Sequence, residues 1–211
     1  TQLLKVSQYL SHEEDEESGY ELLGKSQVME NLRSLIRKVA RTQATVLIQG
    51  ESGTGKELVA RALYRQSPRS AAPFIRVNCA SIPENLIESE FFGHERGAFT
   101  GAVQRKAGKV ELAAGGTLFL DEIGEMSLKT QAKLVRVLEQ QEYEPLGAAE
   151  PIPVDVRLVA ATSKNLKELI AKGVFREDLF FKLNVIPMAI PPIRERTEDI
   201  PELINHFLKA F

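Results

Sequence analysis

Eight consecutive residues, Gly50-Glu51-Ser52-Gly53-Thr54-Gly55-Lys56-Glu57, carry the types that hold phosphate. Three glycines let the backbone curl until successive N–H groups point inward at an anion, and Lys56 adds a point charge. A helix starting near Lys56 aims its positive end at the same place. The position after the lysine usually offers a Ser or Thr hydroxyl to Mg2+; here it is Glu57. A second constellation is Asp121-Glu122, which follows the apolar run Thr117-Leu118-Phe119-Leu120. At the end of a strand in a parallel sheet this pair lies where ligands gather, beside the glycine loop. Asp121 is placed to hold Mg2+ directly or through water, and Glu122 to orient and deprotonate a water attacking a γ-phosphate. A surface turn after the strand is the alternative reading of the pair. Cys79 and His94 lack a base arrangement for thiol chemistry, and no Cys/His spacing fits zinc.

The elements that must position these residues are legible from apolar periodicity. Thr45-Val46-Leu47-Ile48-Gln49 reads as the strand before the glycine loop, with a helix from Glu57 to Leu63 after it. Upstream, Val28, Leu32, Leu35, Ile36 and Val39 fall at helical spacing behind Ser26 as a cap. Residues 74–78 read as a second strand, and Pro83 to Phe91 as a helix with proline in its first turn. Ser127 to Tyr143 reads as a helix with Leu128, Ala132, Val135 and Leu138 on one face. Val156 to Ala161 is a further buried strand ending at Thr162 and Ser163. Asn165 to Lys172 is helical with Gly173 at its C-terminal cap, and Glu198 to Phe211 is a last helix. Strand–helix alternation predicts an α/β sandwich with a mostly parallel sheet.

Composition narrows the partners. Lys+Arg 27 against Asp+Glu 29 leaves a net charge of −2, so no global field draws DNA, RNA or an anionic membrane. Apolar runs are too short to span a bilayer, and a single cysteine excludes an internal disulfide and points to a reducing cytoplasm. Residues 1–20 contain the charge run Ser11-His12-Glu13-Glu14-Asp15-Glu16-Glu17, read as a solvated linker after an upstream domain. The run Gly97-Ala98-Phe99-Thr100-Gly101-Ala102 is too glycine-rich for a helix interior. Phe99 there is either tucked into the core or presented outward on a loop tip, and residue physics favours the core.

The glycine loop, the strand ending in Asp121-Glu122 and, above all, the GAFTGA hexapeptide at 97–102 resemble the AAA+ ATPase domain of sigma-54-dependent transcriptional activators, from about Leu22 to the last helix. The resemblance implies a P-loop NTPase three-layer sandwich (residues 21–196), with residues 197–211 starting a helical lid that is largely absent. ATP and Mg2+ are the implied cofactors. Residues 50–57, Leu23 and Gly24 beside the adenine, Asp121, Glu122 and Thr162 are the implied nucleotide contacts. It also implies that Asn78 holds the catalytic Glu122 in an inactive pose, a strand-end cap being the alternative, and that Arg176, with Lys182 nearby, reaches a neighbouring subunit's ATP. A finger of that kind is worth roughly 10³ to 10⁵ in rate. In place of the core reading, the hexapeptide becomes the tip of a surface loop that contacts sigma-54 RNA polymerase holoenzyme, with Phe99 and Thr100 foremost. The implied assembly is a hexameric ring, and DNA is bound by a C-terminal part not present here.

The chain departs from the family pattern at Lys182, where a second arginine is common, and at Ser163, where asparagine is common. Lysine keeps the charge without the bidentate fork, and serine keeps a hydroxyl with shorter reach. Two other readings therefore stay open: a nucleotide-binding assembly switch with little turnover, and a AAA+ remodeller of another client.

Overall fold

The computed structural model describes residues 22–210, so the acidic run and the rest of the expected linker at 1–20 lie outside the described residues, as does Phe211. Five parallel strands form the central sheet in the order β2-β5-β8-β1-β9: β1 Val46–Gln49, β2 Phe74–Asn78, β5 Thr117–Asp121, β8 Arg157–Thr162 and β9 Ile186–Ala189. Because all five run the same way, their carboxyl ends share one edge, and every loop leaving that edge can reach a common ligand.

The side-chain alternation of the strands builds two cores, one on each face of the sheet. Val46, Ile48, Phe119, Val159 and Ala161 point to one side, against helix α1 (Gln27–Val39) and helix α2 (Lys56–Arg65). Leu47, Leu118, Leu120, Leu158 and Ala160 point to the other, against α3 (Glu84–Phe92), α5 (Leu128–Gln140) and α7 (Glu177–Leu183). Both faces are covered, which is why the strands read as continuous apolar runs and the fold is a three-layer α/β sandwich. The small α4 (Lys109–Leu112) and α6 (Leu166–Ala171) fill corners of the second layer, and α8 (Ile200–Ala210) follows the sheet. Two antiparallel pairs stand outside the sheet: β3 (Gly93–His94) with β4 (Lys106–Ala107), and β6 (Glu142–Tyr143) with β7 (Ile152–Pro153).

Several sequence expectations shift in phase. Helix α1 starts behind Ser26, whose hydroxyl accepts from Met29 N, but its buried stripe is Met29, Leu32, Ile36 and Val39; Val28 and Leu35 sit on the exposed flanks. The expected face of α5 is likewise rotated. Leu128 is exposed and Ala132 and Leu138 are half-buried, while Gln131 and Leu134 are buried with Val135. Gln131 earns its place by donating to Met126 O and Val174 O and accepting from Arg176 N. The helix also ends at Gln140 rather than Tyr143. Gln141 takes the left-handed φ of 56°, and the next two residues leave to pair with β7.

Candidate functional site

The loop between β1 and α2 is held open from within. Gly53 (φ 78°) and Gly55 (φ 94°) adopt the left-handed region that only glycine enters freely. Gly55 is also the N-cap of α2, and no side chain caps the first turn, so the N–H groups there point into the loop. Lys56 Nζ lies inside the curl, donating to Gly50 O at 3.0 Å and Glu51 O at 3.2 Å. It also stands 3.3 Å from Glu122 Oε1. Thus the lysine of one motif and the acid of the other meet across the sheet edge.

Glu122 has an unusual backbone, φ 50° and ψ 50°, which turns its side chain back toward the neighbouring strand end. Its second oxygen accepts from Ser163 N at 3.0 Å and Ser163 Oγ at 2.8 Å. Partial burial pushes the Glu122 carboxyl upward, but the Ser163 donors and the Lys56 ammonium outweigh it and hold the group below the usual glutamate range. Asp121 moves the other way. Burial, then the charge of Glu122, raises it, against the Glu122 N–H that donates to Oδ1 at 3.0 Å. A half-buried pair of acids with one cation nearby suits a hard divalent metal. Among the described residues no group of three or more His, Cys, Asp or Glu could hold a metal ion; Asp121 is a carboxylate that could contribute to one.

The remaining sequence-identified residues divide into those at this edge and those away from it. Thr162 is buried; its carbonyl accepts from Gly50 N at 3.2 Å and its hydroxyl from Lys164 N at 3.0 Å. Glu57 is turned into its own layer, where Oε1 accepts from Arg61 Nε at 3.2 Å and Arg76 Nη1 at 2.8 Å. Thr54 closes the loop by donating to Glu51 O, and Ser52 is exposed. Leu23 and Gly24 lie at the entry to α1, with the Leu22 and Gly24 carbonyls accepting from Arg33. Asn78 ends β2 in register with Asp121, but its Oδ1 accepts from Ala80 N at 3.0 Å. This is the strand-end cap, and the residue that grips Glu122 here is Ser163. Arg176 and Lys182 are not brought to the loop: Arg176 forks onto Asp178 (3.0 and 2.6 Å), and Lys182 faces Glu139 at 3.2 Å.

The hexapeptide stands on the β3–β4 pair. Gly97 N donates to Ala102 O at 2.8 Å and closes the loop; Gly97 (φ 83°) and Gly101 (φ 102°) make its turns. Ala102 is buried, while Phe99, 44% exposed, leaves the core and sets its ring edge against His94 at 4.9 Å. Residue physics had favoured the core, but the ring belongs to neither core cluster: the turns at Gly97 and Gly101 set it on a loop outside the sheet layers. His94 is in turn buried and bonded to Ser89 Oγ at 2.8 Å. Ala98 packs on Gly147, where a Cβ would fall 2.8 Å away. Arg105 ties the stalk by reaching Glu95 and Glu111.

Residues 22–189 match the model of the sigma-54 interaction domain. The chain belongs to that family. The sigma-54 interaction domain described here is 53% identical over 197 residues to the DNA-binding transcriptional regulator NtrC of Rhizobium meliloti, covering 93% of this chain and 41% of that protein. It is 57% identical over 187 residues to the Nif-specific regulatory protein of Klebsiella pneumoniae, covering 89% of this chain and 36% of that one. The chain therefore spans about two fifths of these relatives. The NtrX structure from Brucella abortus in complex with ATP superposes with a TM-score of 0.85 at 42% identity, over 99% of this chain and 46% of that one. The P-loop NTPase domain of an Escherichia coli sigma-54 activator shares the fold (TM-score 0.55, 22% identity, 81% of this chain and 99% of that one).

Sequence reasoning missed Ser163 as the partner of Glu122, treating it only as a departure from pattern. It also missed Arg194 and Arg196, which bond to the glycine loop through the Glu51 carboxylate and Thr54 O. One signal was available: both arginines lie in the segment that leaves β9, at the carboxyl edge where a parallel sheet collects its ligands. Among the described residues no helix is long and apolar enough to cross a membrane.

Proposed function

We propose that this domain hydrolyses ATP within a ring of subunits and uses the 97–102 loop to remodel the sigma-54 RNA polymerase closed complex. The observation that carries the reading is the meeting of Lys56 and Glu122 at 3.3 Å on the carboxyl edge of the sheet. Lys56 and the N–H groups of residues 50–57 bind the phosphates, and Leu23 and Gly24 lie along the base. Asp121 holds Mg2+, which when bound neutralises phosphate charge. Glu122 orients the attacking water and takes its proton. When phosphate claims Lys56, one of the Glu122 oxygens loses its cation and turns to water; Ser163 still grips the other. Arg176 supplies positive charge to the site of the next subunit, since its own side chain is exposed and away from its own loop. Exposed Val174, Phe181 and Val185 around it favour burial against a second copy. Heterologous contacts of this kind close into rings, and a hexamer is the expected assembly.

In this reading residues 21–196 are the ATPase unit, 197–211 belong to a helical lid, 1–20 link to an upstream regulatory domain, and DNA is bound outside this chain, in the cytoplasm. The grip of Ser163 on Glu122 favours a second reading, an assembly switch with little turnover. Phosphate release by the full-length protein, followed against protein concentration, separates the two. Specific activity that rises steeply with concentration supports the motor, and activity flat at background while ATP still binds supports the switch. Glu122→Gln should keep ATP binding and lose hydrolysis; equal turnover removes Glu122 from the base role.

A further inference from the structure

Residues 194–199, between the proline pair and α8, reach the candidate nucleotide site at both ends. At the phosphate end, Arg194 forks onto the Glu51 carboxylate (2.8 Å from Nη1 to Oε2), and the largely buried Arg196 donates to Thr54 O at 3.3 Å and to Pro191 O at 3.2 Å. At the other end Asp199, with no exposed surface, accepts from Lys25 N, Ser26 N and Ser26 Oγ, each at 2.7 Å. Arg196 Nη1 lies 3.8 Å from the same carboxylate and joins the two ends. Gly24 is pressed against it: with φ 125°, a Cβ there would fall 2.8 Å from Asp199 Oδ2. Three short bonds to a buried charge, made to a segment more than 170 residues away in sequence, are far stronger than α1 needs for its cap, which the Ser26 hydroxyl already supplies to Met29 N.

We propose that Asp199 is a positioning residue for nucleotide binding: through Ser26 it fixes residues 22–26, and through Arg196 the glycine loop, so that residues 194–199 set the distance between the base end and the phosphate end of the site. The inference rests on the nucleotide reading above and adds to it a residue that touches no ligand. A ligand that occupies both ends depends on this spacing; one that occupies the phosphate end alone does not. Because α8 continues from Asp199, any displacement of that helix is felt at the base end as a change in affinity.

The test is calorimetric titration of the full-length protein with ATP and, separately, with inorganic tripolyphosphate, for wild type, Asp199→Asn and the milder Ser26→Ala. Asp199→Asn keeps an acceptor but loses the charge; ATP affinity should fall about tenfold and tripolyphosphate affinity by no more than about twofold. Ser26→Ala removes one of three donors and should give the same pattern at about threefold, which keeps the proposal testable if the first variant folds poorly. If both ligands weaken in proportion, or neither weakens, Asp199 is only structural and the positioning role falls. If wild type binds tripolyphosphate and ATP equally, the base end contributes nothing and the role falls too. If wild type binds neither ligand, the nucleotide reading itself fails and takes this inference with it.

Discussion

Arg176 offers a quantitative separation of stability from activity. Its side chain is exposed, its ion partner Asp178 is equally exposed, and Asp178 keeps its bond to Leu179 N at 2.7 Å whether or not the arginine is present. Removing one arm of such a pair changes stability by roughly 0 to 1 kcal/mol. A charge delivered to a phosphoryl-transfer transition state is worth about 10³ to 10⁵ in rate, or roughly 4 to 7 kcal/mol. The second magnitude wins, so under the proposed function Asp178 is a resting partner that a neighbour's phosphate would displace at small cost. Arg176→Ala should therefore melt within a few degrees of wild type and lose nearly all turnover. The decisive assay mixes it with Glu122→Gln. Each variant alone is inactive, yet at every interface where an Arg176→Ala subunit, with its base intact, faces the finger of a Glu122→Gln subunit, a whole site is rebuilt. Random mixing in equal amounts restores about a quarter of wild-type activity, half the subunits carrying an intact base and half their neighbours an intact finger. No recovery in a mixture that demonstrably co-assembles refutes the placement of Arg176 in a neighbour's site. Wild-type turnover by Arg176→Ala alone removes the residue from the reaction.

Further expectations follow from single environments. Asp121 titrates above the ordinary aspartate value of 3.8 because of burial and then the charge of Glu122. A raised acid favours the fold in its neutral form, so its contribution is present below 3.8 and is lost as pH rises through the raised value. At neutral pH Asp121→Asn should thus raise the melting temperature of the nucleotide-free protein while abolishing added stabilisation by ATP with Mg2+; a lowered melting temperature contradicts this. Arg157 is fully buried and donates to Ala40 O (2.9 Å) and Val39 O (3.1 Å) at the end of α1, so Arg157→Ala should destabilise by about 3 kcal/mol or more in a denaturant titration. Phe99→Ala gives up one edge contact with His94 and should cost under about 1.5 kcal/mol in the same titration, while losing open-complex formation with sigma-54 polymerase. The Cys79 thiol, pushed up to about 12 by burial and then by Asp121, should resist alkylation at pH 8 until the protein is unfolded.

The layers were legible in the sequence because they depend on period and run length alone. Strand β2 falls at 74–78 as expected, since Phe74, Ile75 and Val77 are bounded by Pro73 and a polar turn. The rotated face of α5 was not legible. Gln131 is buried for the sake of three polar partners on distant segments, and apolar periodicity has no means of anticipating a glutamine in a core. The two-residue strands β3, β4, β6 and β7 were missed for a related reason, being too short to show any alternation. The hexapeptide was visible as a motif, but residue physics alone put Phe99 in the core; the ring instead packs by its edge on one buried histidine and stays nearly half exposed.

The candidate site was legible as a set of residues and illegible as a set of contacts, and the difference has a physical cause. Each side chain expected to act on nucleotide is bonded here to something local: Glu122 to Lys56 and Ser163, Arg176 to Asp178, Lys182 to Glu139, Asn78 to the N–H of Ala80. The Arg176 and Lys182 pairs are exposed ones whose net worth is on the order of 1 kcal/mol or less, so a phosphate or a second subunit can exchange the partner without disturbing the fold. Asp199 differs in kind. Its carboxylate is wholly buried with three short bonds, and separating it from them leaves an unpaired charge in the interior. The site therefore combines side chains that must change partners with a frame that must not. On this division, substitutions at Arg176 or Lys182 should alter turnover without altering melting, whereas those at Asp199 should alter ATP affinity and melting together.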